Sequence, residues 1–167
     1  MLAADAPALD VTHLSEGLLM ASIGTVCLAL WRTKPTPLLF GRQRDHLAAA
    51  VDQNPRRQLF LCVVEYKSPP PDEDIRQASS DMITAHGPKL AGCACVIEGT
   101  GFHAAINHTV LSGIVHGIQA PTPVRFFEST ASACTWLQSF AVAAAPASLA
   151  EQVELARSRL HALPAPP

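Results

Sequence analysis

The most constraining feature of this sequence is QLFLCVVEY, residues 58–66, a nearly continuous apolar run rich in strand-forming residues. A strand with one face in water alternates apolar and polar residues, whereas a strand covered on both faces does not. Residues 58–66 therefore predict a strand with both faces covered. AGCACVIEG, residues 91–99, predicts the next strand along the chain.

Helical patterns with capping and stop signals separate these apolar runs. Residues 38–55 place apolar side chains on one side and end at Pro55, and Asp72 is positioned to cap the next helix. This alternation predicts an α/β fold, with a largely parallel central sheet of about five strands flanked by helices. The predicted strands are two within 17–31, joined near Gly24, and then 58–66, 91–99 and 123–129; the predicted helices are 38–55, 72–86, 101–118, 131–143 and 148–163.

The length of 167 residues suits a single domain. We expect residues 1–16 to be a loose lead-in, 17–140 to form the α/β domain, 141–163 to hold a linker and an amphipathic helix, and 164–167 to be a tail. An apolar stripe predicts that this last helix packs on its own domain, with pairing to a partner or a second copy as the alternative. The stripe consists of Leu149, Val153, Ala156, Leu160 and Leu163.

Composition excludes several classes of function. The formal net charge is −2 and the basic residues are scattered, so we expect no nucleic-acid binding. The five cysteines are an odd number and lie in apolar segments, which indicates reduced thiols in a cytoplasmic protein. The apolar run at 17–31 is too short to cross a bilayer, so no membrane insertion is expected.

Four segments carry a resemblance to a known family. They are VCLALWR (26–32), VVEYKSPPP (63–71), CVIEGTGFHAAINHTVLSGI (95–114) and VRFFESTASACTWL (124–137). Together they resemble the STAS fold of anti-sigma-factor antagonists, and in particular the divergent bacterial STAS-like proteins. The resemblance covers roughly residues 17–140 and implies a non-enzymatic domain that docks to a partner protein, sometimes switched by phosphorylation of a serine after a central strand. Ser68 lies in the matching loop as a candidate phosphorylation site, although the acids at 72–74 would repel a phosphate there.

Cys93 and Cys95 are two apart in a predicted strand, so their side chains should lie on one face. A zinc site would need two further ligands, usually from a second closely spaced pair. His103 and His108 do not supply them, because five residues on a helix separate side chains by about 140°. We therefore predict inert core thiols, with no metal and no cofactor.

The loop EGTG, residues 98–101, leads from a strand into a helix and predicts a tight turn that needs the backbone freedom of glycine. His103 follows in the first helical turn, beside Glu98 and Thr100, where open α/β sheets place their ligands. A structural histidine is the favoured interpretation, and a catalytic base is the alternative. Glu65 and Glu98 both end central strands, so the two carboxylates could lie near each other.

These observations predict a non-enzymatic protein-interaction or regulatory module whose partner is another protein, with a homodimer as an alternative. One rival hypothesis is a carrier or sensor of a small apolar or lipid-like ligand, which would need a large apolar cavity. The other is a small hydrolase or transferase that uses His103 with Glu98 or Glu65. The expected interaction surface is the rim formed by Tyr66, Lys67, Ser68, Glu98, Thr100 and His103.

Overall fold

The structure is a computed structural model that describes residues 8–55, 57–66, 68–116, 122–140 and 148–165. Its strands are β1 (Leu9–Leu14), β2 (Leu18–Ile23), β3 (Val26–Trp31), β4 (Gln58–Val64), β5 (Leu90–Ile97) and β6 (Val124–Phe127). Its α-helices are α1 (Pro37–Gln53), α2 (Glu73–His86), α3 (Phe102–His116), α4 (Thr130–Gln138) and α5 (Leu149–His161).

The six strands form one mixed sheet whose spatial order follows the chain from β1 to β6. Strands β1, β2 and β3 pair antiparallel, and β3 to β6 pair parallel. Helices α1, α2 and α3 connect the parallel neighbours, as parallel pairing requires. The predicted α/β class is therefore confirmed, while the described residues hold six strands rather than about five.

The additional strand is β1, which corrects the prediction of a loose lead-in over residues 1–16. Leu9, Val11 and His13 are half-buried, and the residues between them are exposed. Leu9 and Val11 pack on the core layer under α4 and α5, whereas the pairing register shifts before His13, which pairs with Met20 of the other layer. Residues 9–14 thus had a strand signal of their own, which the nearby acidic residues obscured.

Helices cover both faces of the sheet, so the apolar residues of β2 to β5 are divided between two core layers. One layer lies under α4 and α5, and the other under α1 and α2. The C-terminal helix packs on its own domain, as its stripe predicted, because four of its side chains are fully buried against the sheet. They are Leu149, Val153, Ala156 and Leu160.

The chain segments after β3, β4 and β5 all lie at one edge of the sheet, because parallel strands end together. We call this the carboxyl edge; its described residues are 32–38, 65–66, 68–72 and 98–101. The glycine loop on it has the predicted left-handed backbone, with φ of +100° at Gly99 and +90° at Gly101. A Cβ atom at Gly99 would overlap the ring of Tyr66, so this glycine also allows a close approach.

Candidate functional site

Glu65 and Glu98, which directly follow β4 and β5, converge on Arg157 of helix α5. The Nη1 atom of Arg157 lies 2.7 Å from Glu65 Oε1 and 3.0 Å from Glu98 Oε2. Its Nη2 atom lies 2.5 Å from Glu98 Oε1. The expectation that the two strand-end carboxylates lie near each other is thus confirmed, and a shared guanidinium holds them there.

Two further side chains complete this site. His161 Nε2 lies 2.9 Å from both carboxylate oxygens of Glu65, and Thr130 Oγ1 donates to Glu98 Oε1 at 3.2 Å. The site is largely sheltered from water, since the side chains of Arg157, Glu65 and Glu98 are 17%, 9% and 23% exposed. We call these five residues the Arg157 cluster.

The electrostatics of the cluster keep Arg157 charged. Burial alone would lower the pKa of the guanidinium, but the hydrogen bond to Glu98 and the charges of Glu98, Glu154 and Glu65 outweigh it and raise that pKa. Two sheltered carboxylates thus share one guanidinium, and these ion pairs attach α5 to the ends of β4 and β5.

The cluster leaves the two carboxylates poorly placed for acid–base chemistry. A general base needs an oxygen within reach of a substrate proton. Both oxygens of Glu98 accept hydrogen bonds from Arg157, and both oxygens of Glu65 lie against His161. The hydrolase or transferase hypothesis would therefore have to use carboxylates that already contact Arg157 and His161.

A second arginine fixes the end of α5 at the same edge. Arg32, the residue after β3, donates from Nη1 to the carbonyl oxygens of Leu160 at 3.3 Å, Leu163 at 3.2 Å and Pro164 at 3.4 Å. The last carbonyls of a helix have no partner within the helix and carry partial negative charge, so a guanidinium satisfies them well. Helix α5 is thus held by charged contacts to three successive parallel strands.

Ser68 lies inside its loop and not on an accessible rim. Its side chain is 1% exposed, and its Oγ donates to the carbonyl of Thr33 at 3.0 Å. Its own carbonyl accepts from Asn107 Nδ2 at 2.8 Å. This burial corrects the placement of Ser68 on the rim and argues against the phosphorylation site, because a kinase could reach the hydroxyl only after the loop had left its position.

The other predicted rim residues have different environments. Tyr66 is 55% exposed and Thr100 is also exposed, whereas Glu98 belongs to the Arg157 cluster. Lys67 and the side chain of His103 lie outside the described part of the structure. Tyr66 and Thr100 are therefore exposed at this edge, whereas Glu98 takes part in a cluster that the sequence did not indicate.

Exposed apolar side chains mark the carboxyl edge. Leu38, in the first turn of α1, is 70% exposed and lies on the same edge as Tyr66. Prolines at 35, 37 and 69–71 restrict the backbone on either side of these residues. The remaining exposed large hydrophobic residues of the described ranges are Leu14 on β1 and Leu155 on α5.

An open groove of ≈ 390 Å³ lies beside the glycine loop on this edge. Backbone and small side chains form its floor, and Thr100, His108 and Glu128 contribute polar groups. The apolar cavities are much smaller, at ≈ 60 Å³ and ≈ 70 Å³. Ligand pockets usually measure about 300–1,000 Å³, so neither of these two cavities has the size that a lipid carrier needs.

The cysteines are free thiols, and four of them lie on the face of the sheet under α1 and α2. Cys62 on β4 is the direct neighbour of Cys95 on β5, and Cys93 lies on the same face. Burial raises the pKa of Cys93 to about 12, and burial also raises the pKa of Cys27. These two are buried and protonated, as predicted.

The prediction of full burial is wrong for Cys62 and Cys95, which are half-buried. A narrow cleft between the sheet and the helices above it reaches both thiols. A hydrogen bond to Cys62 and then burial raise the pKa of Cys95, which keeps it a thiol. Across the described ranges no group of three or more His, Cys, Asp or Glu side chains is arranged to hold a metal ion.

Comparison of the chain with known protein families, with curated proteins and with solved structures finds no match. The resemblance to STAS-like proteins therefore stays a prediction, and function has to be argued from the geometry of the carboxyl edge. None of the helices in the described ranges is long and apolar enough to cross a bilayer.

Proposed function

We propose that this protein is a non-catalytic interaction module that binds another protein through the carboxyl edge of its parallel strands. The observation that carries the proposal is the Arg157 cluster. The two strand-end carboxylates, which would be the natural acid and base of an enzyme at this edge, are engaged by α5. The side chains that remain accessible at the edge can contact a partner protein.

That contact surface has the composition of a small docking site. Tyr66 and Leu38 are the exposed large side chains on the edge, and tyrosine is among the residues that carry most binding energy at protein interfaces. Prolines on both loops reduce the entropy lost when a partner binds. The groove beside the glycine loop continues the surface with polar groups that can serve as its rim.

The proposal agrees with what the resemblance to STAS-like proteins implies, namely docking without turnover in a cytoplasmic regulatory role. It does not include a phosphorylation switch at Ser68, because the hydroxyl is buried and already donates to Thr33. A second copy of the chain is the alternative partner.

Site-specific photocrosslinking tests the proposal. A photoreactive benzoyl-phenylalanine is placed at Tyr66 or Leu38, with Leu155 as the matched control. Leu155 is also a large exposed apolar residue, but it lies on α5 and is not one of the residues that form the carboxyl edge. We expect a discrete adduct in the producing cells from the two edge positions and not from the control. An adduct of twice the chain mass would identify a second copy as the partner.

The identified partner then allows a quantitative check. Tyr66→Ala and Leu38→Ala should each weaken its binding about tenfold or more, as truncation of an interface anchor does. Leu155→Ala should leave the affinity unchanged. Equal crosslinking at all three positions, or an affinity that no edge substitution changes, would contradict the proposal.

A further inference from the structure

We propose that the cleft between the sheet and helices α1 to α3 binds a small neutral ligand, about the size of one ring, that carries an N–H or O–H donor. The cleft consists of the two small apolar cavities, and four residues line both of them, so the cavities adjoin. The shared residues are Gln43, Cys62, Ser79 and Cys95. One cavity lies beneath the docking edge, since Pro35, Ser68, Pro69 and Pro71 line it. The inference is argued from buried side chains of the cleft and does not depend on docking at the exposed edge.

The cleft admits small molecules only. Its outer chamber, ≈ 60 Å³, lies under the proline loop between Trp31, Phe40 and Pro71, and a second chamber, ≈ 70 Å³, extends towards Phe60 and Met82. A cavity of about 150 Å³ binds benzene. Either chamber alone is smaller than that, and the two together approach it, which suits a single five-membered ring.

Asn107 of α3 supplies the polar recognition group. Its side chain is 4% exposed and lines the outer chamber. Its Nδ2 donates to the carbonyl of Ser68, which fixes the orientation of the amide. Its Oδ1 is buried and has no hydrogen-bond partner among the described residues. An unpaired buried acceptor costs free energy, so a ligand that donates to Oδ1 would recover that cost.

Gln43 of α1 provides a complementary group, because it lines both chambers. Its side chain is 3% exposed, and its Oε1 accepts from Trp31 Nε1 at 2.6 Å. Its Nε2 has only the weakly accepting sulfur of Met82 as a partner, at 3.8 Å. The amide therefore presents an N–H group that an acceptor atom of the ligand can use.

The lining excludes charged ligands. No Asp, Glu, Lys or Arg is among the residues that line either chamber in the described structure. The walls are apolar, aromatic or thiol-bearing apart from four uncharged polar residues, Gln43, Ser68, Ser79 and Asn107. Moving an ion into such surroundings without a counter-charge is costly. The cleft is also reachable, since Cys62 and Cys95 are half-buried although both lie in the middle of strands that helices cover.

Pyrazole is a suitable probe because it is a neutral five-membered ring with one N–H donor and one acceptor nitrogen. Furan is the matched control, since it has the same ring size and no N–H. Binding is followed by nuclear magnetic resonance through the indole N–H of Trp31, which donates to Gln43 in the wall of the cleft. We expect saturable shifts with pyrazole and about five- to tenfold weaker binding of furan, the contribution of one hydrogen bond to a buried acceptor.

Two substitutions on α2 provide a second, independent test. Ser79→Leu fills the wall that both chambers share, and it should abolish pyrazole binding. Ser80→Leu makes the same change at a neighbouring position that lines neither chamber, and it should leave binding unchanged. Thermal melting of both variants shows that they are folded, and the comparison of pyrazole with furan needs no variant at all.

Three results would overturn the inference. They are the absence of saturable binding, equal affinity for furan and pyrazole, and undiminished binding to folded Ser79→Leu. The first would mean that the cleft holds no ligand, the second that Asn107 Oδ1 accepts no hydrogen bond from the ligand, and the third that pyrazole binds elsewhere. None of them bears on crosslinking at Tyr66, so the failure of this inference and the failure of the proposed docking function are distinguishable.

Discussion

Replacing Arg157 with methionine tests whether the Arg157 cluster is structural. The substitution keeps an unbranched side chain of similar length and removes the guanidinium. The three hydrogen bonds to Glu65 and Glu98 disappear, at 2.5, 2.7 and 3.0 Å, together with two longer ones at 3.4 Å to Glu154 and Thr130. Glu65 and Glu98 are left without the charge of the guanidinium. Removing one partner of a buried ion pair costs about 3–5 kcal/mol.

The lower end of that range applies here, because the carboxylate side chains keep 9% and 23% of their exposure. We therefore expect a loss of about 3 kcal/mol, a large share of the ~5–15 kcal/mol that stabilises a typical domain. For a chain of this size each kcal/mol corresponds to about 2–4 °C, so the melting temperature should fall by about 6–12 °C.

Thermal melting and urea denaturation measure this loss, and two further variants separate its causes. Glu154→Gln is the control, because this carboxylate also faces Arg157, at 3.4 Å, but is 61% exposed. It should cost no more than about 1 kcal/mol, as exposed ion pairs do. Adding Glu65→Gln and Glu98→Gln to Arg157→Met removes the uncompensated charges, and it should restore most of the lost stability.

A melting temperature of Arg157→Met within about 2 °C of the unmodified protein would refute this reasoning, since a change that small corresponds to at most about 1 kcal/mol. Failure of the two glutamine substitutions to restore stability would refute it as well. Either result would mean that Glu65 and Glu98 are not held by a sheltered guanidinium. Both carboxylates would then be available for acid–base chemistry, which would favour the hydrolase or transferase hypothesis that uses His103 with Glu98 or Glu65.

Two other predictions test the glycine loop and the cleft. Gly99→Ala should lower the free energy of unfolding by about 2 kcal/mol, because Gly99 has a φ of +100° and lies against the ring of Tyr66. Gly41→Ala should raise that free energy by up to about 1 kcal/mol, because Gly41 is in a helix and has open space around it. Urea denaturation of both variants measures the difference, and equal effects would contradict the prediction. Methyl methanethiosulfonate should label Cys62 and Cys95 before Cys93, as measured by peptide mass spectrometry. Because the pKa of Cys93 is about 12, the labelling rate of Cys93 should still rise without a plateau through about pH 10. The reverse order of labelling would refute the conclusion that the cleft gives access to Cys62 and Cys95.

The α/β class was predictable because its signals are local. The uninterrupted apolar run at 58–66 indicates a strand covered on both faces, and helical spacing with acidic or proline boundaries indicates the connecting helices. Edge strands carry a weaker signal. In β1 the half-buried positions include His13, so the alternation of residues 9–14 is visible only when a histidine counts as partly apolar.

The site was predictable in part. The ends of parallel strands meet at one edge, and this rule predicted that Glu65 and Glu98 could lie near each other. Their partner could not be identified from nearby sequence, because Arg157 lies 92 and 59 residues further along the chain. A signal did exist: Arg157 is four residues after Val153, about 40° round the helix, so a charged residue borders the buried stripe of α5.

The burial of Ser68 was not predictable from its own segment. A serine among prolines and acids is usually at the surface, and the sequence around it contains no sign of the opposite. Its environment is set by Thr33 and Asn107, which come from the segments after β3 and within α3. Contacts between residues 35 and 39 positions apart depend on how the connections pack over one another, and a pattern along the chain does not encode that directly.

Helix α5 follows every strand in the chain, and this order has a consequence during translation. Until the ribosome has synthesised Leu160, the side of the sheet that contains Leu28 and Leu61 has no α5 to close it. A nascent chain therefore exposes a broad apolar surface late into its synthesis, the kind of surface that chaperones bind and that aggregation begins from. The final turns of α5 must therefore be synthesised before this surface is covered. We expect a chain that stops before them to remain bound to chaperones or to be degraded.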